Sequence, residues 1–335
     1  MDEQLRFEGL ISNLSTEFVN IPVDKIDDTI KSWLRTLAEF FDVDRCTIGL
    51  FSDDATRLAS AYDYHIPGSE PPALSAVKEQ LPWYIERLME GTPVIVNRLE
   101  DLPPEAEREG RFCLDRGIKS ILSVPLMVGG NVLGPFAFVS THTMQVWPEN
   151  LIPRLRLVGE VFANVIKRKQ DRLQLEEQLR FEKLLAEISA RFVNLPADRI
   201  DESIEDAQRR VCGCLGLDLS ALWQWKNETP RVLTMTHFYR SLEGPPPPSE
   251  PMDAHKYYPW CQEQLEANRT IAVSSTENVP AEVARDRESW RHFGVKAALI
   301  IPLSRKADPP IGALSFNDMQ KERTWPEALI QRLHL

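Results

Sequence analysis

Apolar positions near the start of the chain fall at Phe7, Ile11, Leu14 and Phe18, steps of four, three and four that put one stripe on a helix. Asn20-Ile21-Pro22 breaks it. Asp24 is placed to cap a second helix carrying Ile26, Ile30, Trp33, Leu34, Leu37 and Phe41, because its carboxylate can accept from first-turn amides. The period then shortens to two. Over Arg45–Phe51, Cys46, Ile48 and Leu50 alternate with Thr47, Gly49 and Phe51, which predicts a strand with Arg57–Tyr64 as its hairpin partner. A proline-bearing loop at 66–72 is too stiff and too poor in donors to join a sheet. Beyond it the pattern predicts a short helix over Pro82–Met89, a short strand over Pro93–Asn97 and a charged helix over Pro103–Arg116. Lys119–Val128 and Asn131–Thr141 are apolar enough to be central strands, and Gly129-Gly130 joins them as a hairpin. Pro125 lacks an amide donor, so it must sit at a bulge or where the ladder has no bond to lose. Trp147-Pro148-Glu149 opens a last long helix, and no proline or glycine follows Gly159 until past Phe192.

The same order then returns. Leu5-Arg6-Phe7-Glu8 recurs as Leu179-Arg180-Phe181-Glu182, and Phe18-Val19-Asn20-Ile21-Pro22 as Phe192-Val193-Asn194-Leu195-Pro196. Further on, Pro82-Trp83 matches Pro259-Trp260, Gly117-Ile118-Lys119 matches Gly294-Val295-Lys296, and Trp147-Pro148 matches Trp325-Pro326. So long a repeat is a domain, not a solenoid unit. The boundaries expected are a first domain over 1–168, a connecting helix over 169–192 and a second domain over 193–335. Trp325–Leu335 matches only the opening of the helix begun at Trp147, so an output domain is expected after Leu335.

Composition narrows the function. With 39 basic and 50 acidic residues the formal net charge is −11, which opposes a phosphate backbone; nucleic acid is not an expected partner. No apolar run reaches the ~20 residues of a membrane span, and acids stand where a signal peptide would be basic, so a cytoplasmic protein is expected. The five cysteines are irregularly spaced, as reduced thiols are. Six scattered histidines, and Cys212-Gly213-Cys214 on a helix where i and i+2 diverge, give no metal site. No Gly-rich phosphate loop, Gly-x-Ser-x-Gly elbow or His-Glu-x-x-His is present, and an enzyme is not expected.

Gly117-Ile-Lys-Ser-Ile-Leu-Ser-Val-Pro-Leu126 followed by Val132-Leu-Gly134, and Gly294-Val-Lys-Ala-Ala-Leu-Ile-Ile-Pro-Leu303 followed by Ile311-Gly312, resemble the GAF domain of bacterial signalling proteins. The phrase over 179–204 is similar to the leading segment of GAF modules in sensor histidine kinases and in enhancer-binding transcriptional activators of the formate-responsive type. The resemblance implies an α+β fold: two GAF domains, each a six-stranded antiparallel sheet with helices on both sides, joined by a long helix. It also implies a small-molecule cleft under the two short helices, and a kinase or activator as the output domain. The cyclic-nucleotide signature Asn-Lys-Phe-Asp-Glu of phosphodiesterase relatives is absent, and Cys113 is followed by Leu114, not by the His of bilin-attaching relatives. The ligand and any cofactor stay unidentified.

Within that frame the candidate ligand-binding residues are aromatic: Trp83 and Phe112 in the first copy, Trp260, Trp290, Phe293 and Phe316 in the second. Core packing is the competing role for each, and above all for Phe138 and Phe316. The second copy is the favoured ligand site because it concentrates Trp223, Trp225, Trp260 and Trp290 and has longer loops, including 305–310. A homodimer is expected along the connecting helix, with Val158, Val161, Val165, Leu175 and Leu179 as a partial heptad seam that Arg168 and Arg172 interrupt. Two alternatives remain open. One is a dimerisation scaffold that binds nothing, for which the cavity beneath Trp83 or Trp260 would be filled and dry. The other is a reductase resembling free methionine sulfoxide reductase, which needs Cys46 and Cys113 within disulfide reach.

Overall fold

The computed structural model describes residues 2–52, 57–71, 77–193, 195–226, 229–248, 250–304 and 310–334. The chain divides into two compact units, Met1–Leu175 and Glu176–Leu335. The first begins with helices α1 (Asp2–Val19) and α2 (Ile26–Phe41), the hairpin β1 (Arg45–Phe51) and β2 (Leu58–His65), and α3 (Val77–Gln80). There follow α4 (Pro82–Met89), β3 (Val94–Val96), α5 (Glu107–Asp115), β4 (Ser120–Val128) and β5 (Asn131–Ser140). Helix α6 (Ile152–Val193) is unbroken over 42 residues; it carries Gly159 in its first half, and no proline or glycine follows within it.

The strand order is β2-β1-β5-β4-β3, all antiparallel. Period-two alternation divides the sheet into two faces. Cys46 and Ile48, Leu122 and Val124, and Phe136 and Phe138 point to one face, where they join Leu14 and Phe18 of α1, Ile30 and Leu34 of α2, and Leu155 and Phe162 of α6 in one core. Phe136 meets Phe162 edge-on at 5.4 Å. Arg168 does not merely interrupt a stripe. It donates to the carbonyls of Phe18, Val19 and Ile21, satisfying acceptors at the C-terminus of α1, where a cation is favoured.

One detail corrects the sequence reading. Asp24 does not cap α2: Pro22 leads into a 3-10 turn over Val23–Lys25, and Lys25 precedes the helix with no side-chain cap. The first sheet has five strands among the described residues; residues 72–76, which match the second unit's edge strand in the repeat, lie outside them. Pro125 stands opposite Pro135, and the bulge falls at the next step, between Leu126 and Met127.

The second unit repeats the plan with α7 (Ile200–Leu215), β6 (Leu219–Lys226), β7 (Thr229–Arg240), β8 (Met252–Asp253), α8 (Ala254–Tyr257) and α9 (Pro259–Glu266). It closes with β9 (Ile271–Val273), α10 (Ala284–His292), β10 (Ala297–Leu303), β11 (Gly312–Asp318) and α11 (Glu327–Leu333). Its sheet order, β8-β7-β6-β11-β10-β9, is the first unit's with the edge strand added. Among the described residues no helix is long and apolar enough to cross a membrane.

The proposed seam on α6 does not survive as drawn. Val158 and Val165 are buried in the first unit's core, because the stripe they form is the one that packs on the sheet. Leu175 and Leu179 remain free of that core, 48% and 54% exposed.

Candidate ligand cavity

The sheet face turned away from α1, α2 and α6 carries small or polar side chains: Arg45, Thr47 and Gly49 of β1, Ser123 of β4, and Pro135, Ala137 and Val139 of β5. Helices α4 and α5 cover it. What small residues leave open beneath them is a cavity of about 110 Å³, lined also by Trp83, Tyr84, Phe112, Cys113 and Glu109.

Two opposite charges are buried in this wall. Arg45 is 7% exposed, and both of its hydrogen bonds run from Nη1, to the carbonyls of Ser69 (3.2 Å) and Glu70 (2.9 Å). Burial lowers its pKa, with Tyr84, Cys113 and Asp63 opposing. Glu109 is 4% exposed; Oε1 accepts from the Tyr84 amide at 3.2 Å, at the N-terminal turn of α4, while Oε2 has no partner among the described residues. Leaving a buried carboxylate oxygen unpaired costs about 1–3 kcal/mol or more. The Tyr84 hydroxyl meets Ser123 Oγ at 2.8 Å, and burial pushes the phenol up to about 12, with Ser123 and Arg45 pulling the other way. Burial and Glu109 push the Cys113 thiol up to about 11 against Arg45 and Arg116. A thiol so held is protonated and a poor nucleophile.

The family pattern described as GAF domain matches residues 25–166, the segment that builds this sheet and cavity. A GAF domain is found here. The fold of the chain is also similar to that of a bacteriophytochrome from the photosynthetic bacterium R. palustris, at a TM-score of 0.57 and 11% identity, over 95% of this chain. The chain spans 64% of that bacteriophytochrome's length, and at this identity the likeness concerns fold alone. No curated protein gives a significant sequence match.

The GAF domain's cavity has a counterpart at the same place in the second unit, of about 100 Å³. Its chemistry differs position by position. Leu219 stands where the GAF domain has Arg45, Ala221 for Thr47, Trp223 for Gly49, Cys261 for Tyr84 and Ile300 for Ser123. Asp286 replaces Glu109, and its shorter side chain brings both oxygens to α9, accepting from Trp260 N (3.2 Å) and Cys261 N (2.9 Å). Arg240 donates to the carbonyls of Pro245 and Gly244, Ser315 to that of Ala221 and Asn317 to Ser315 Oγ, while Tyr258 also lines the space. Pro245, Pro247 and Pro248 close over an otherwise apolar space.

Of the sequence candidates, Trp83 and Phe112 line the GAF cavity, and Trp290 and Phe293 line the second. Trp260 packs beside the core under α9 without lining the cavity. Phe316 points to the opposite sheet face, against Phe181 and Trp325, because it alternates with cavity-facing Ser315 and Asn317. Cys46 and Cys113 lie on opposite faces of the first sheet, one among the core phenylalanines and one in the cavity wall, which gives the reductase reading no support. The loop 305–309 lies outside the described residues. Aromatic candidates led the sequence search past Arg45, Tyr84 and Glu109. One signal for Glu109 was present: the repeat pairs it with Asp286, an acid with an acid on otherwise dissimilar helices.

Proposed function

We propose that this chain is a signal-sensing regulatory region whose GAF cavity binds a small molecule, and that α6 carries the response to an output domain, a kinase or a transcriptional activator. The observation that supports it best is the unpaired Glu109 Oε2 in a cavity wall that also holds the buried Arg45. A domain built only as a scaffold has no reason to keep that penalty, and the second unit, on the same plan, has removed it. Strand β5 offers the physical link: Ala137 and Val139 face the cavity, while Phe136 and Phe138, which alternate with them, pack on the α6 side. The repeat and the common strand order support reading the second unit as a second GAF domain, with its cavity, where Leu219 replaces Arg45 and Asp286 is bonded to α9, suited to structural partnership. This reverses the preference drawn from its tryptophans. Pairing of two chains is proposed along 171–180, where Leu173, Leu175 and Leu179 are exposed.

Native mass spectrometry of freshly purified protein tests the reading. A retained small-molecule mass that denaturation releases supports it; a bare chain mass, together with no ligand-induced rise in melting temperature across a metabolite panel, sinks it.

A further inference from the structure

We propose that the GAF cavity takes a compact zwitterion, an ammonium and a carboxylate on a small aliphatic frame, of which a small free α-amino acid is the simplest form. The inference rests on the sensing reading and adds the ligand's chemical class.

The wall presents one buried group of each sign with bonding capacity left over. Glu109 Oε2 accepts from nothing among the described residues, so it calls for a donor, and a cationic donor forms the stronger, charge-assisted bond. Arg45 uses Nη1 on two loop carbonyls, and its planar fork keeps the Nε and Nη2 donors, which have no partner among the described residues. A carboxylate matches that fork. Both groups line the same cavity, with Cys113 also in its wall. A ligand of net charge would leave one of them uncompensated in a low-dielectric space; a zwitterion compensates both. Trp83, Val96, Phe112 and Ile121 supply an apolar surround for a short side chain. The space, about 110 Å³, compares with the roughly 150 Å³ of an apolar cavity that holds benzene.

The second unit serves as an internal comparison. It keeps the fold and a similar volume but replaces Arg45 by Leu219 and satisfies Asp286 on α9. The polar pair is therefore not a requirement of the fold.

Isothermal titration calorimetry on the full chain decides the matter with L-alanine, L-valine, L-proline and L-leucine as probes. Isobutylamine and 3-methylbutanoate serve as valine lacking one charged group or the other. At least one amino acid should bind, and lose tenfold or more of its affinity in Glu109→Gln, which keeps the acceptor for Tyr84. Valine should bind at least tenfold more tightly than either analogue. Trp290→Ala, in the other cavity, should bind as wild type does, and circular dichroism should show each variant folded. Failure of all four amino acids to bind overturns the proposal. So does equal binding of an analogue, or undiminished binding to folded Glu109→Gln. A retained native ligand of another class, lost in Glu109→Gln, overturns the zwitterion and leaves the sensing reading standing; no ligand of any class sinks both.

Discussion

Glu109 Oε1 accepts from the backbone N–H of Tyr84 at 3.2 Å, which ties α5 to the first turn of α4 and leaves Oε2 without a donor among the described residues. Asp286 makes the corresponding tie with both oxygens. The structural role of Glu109 can therefore be separated from the binding role proposed for it. Glu109→Ala removes the acceptor and should cost about 1–3 kcal/mol, read by calorimetric unfolding. Glu109→Gln should stay within about 1 kcal/mol of wild type, since an acceptor for Tyr84 remains.

Asp44 joins the start of β1 to the end of β5. Its burial acts to raise the carboxyl pKa, but Thr141 N–H (2.6 Å), His142 N–H (3.0 Å) and the Thr141 hydroxyl (2.9 Å) outweigh it and hold the group at about 2. A depressed carboxylate pKa stabilises above the unfolded value near 3.8 and loses that contribution as pH falls through the folded one. Unfolding measured from pH 5 to pH 2 should show a loss of about 2 kcal/mol from this group, and Asp44→Asn should flatten that part of the profile.

Val165 and Leu175 sit on one helix in opposite circumstances, the first buried in the core and the second solvent-exposed. Val165→Asp buries an unpaired charge and should cost about 3 kcal/mol or more. Leu175→Asp should change stability by no more than about 0.5 kcal/mol. If light scattering shows a dimer in wild type, Leu175→Asp with Leu179→Asp should give folded monomers; an intact dimer would move the interface off 171–180.

Asp42 ends α2 with a left-handed backbone, φ 52°, where the matching residue of the second unit is Gly216, φ 60°. A Cβ is disfavoured there, so Asp42→Gly should stabilise the first unit by about 0.5–1 kcal/mol despite glycine's greater unfolded-state freedom. A drop in melting temperature would show that the Asp side chain contributes more than its strain costs.

Much of the fold was legible because it rests on periodicity. The stripe of Phe7, Leu14 and Phe18, the alternation at Cys46 and Ile48, and the breaker-free run after Gly159 each appear as read. Less survived where two partners compete for one stripe. Val158 and Val165 have the spacing of a seam, yet the same spacing packs a helix on its own sheet. Periodicity also misses caps of irregular geometry, as at Asp24. The cavity was legible only by its cover: Trp83 and Phe112 were found because aromatic residues on short helices are conspicuous. Arg45 was not, because a cation at the start of a strand ordinarily faces water, whereas here the loop carbonyls of Ser69 and Glu70 hold it in the buried wall of the cavity. Phe316 could have been placed by extending the alternation from Ser315, a step that outweighs aromatic character.

The most direct test of a ligand-binding GAF cavity is equilibrium dialysis of the full chain against a cell-metabolite extract, with enriched compounds identified by mass spectrometry, for wild type and Glu109→Gln in parallel. The account predicts at least one compound enriched by wild type and enriched tenfold less, or not at all, by the folded variant. Equal enrichment by both proteins, or none by either, would contradict it.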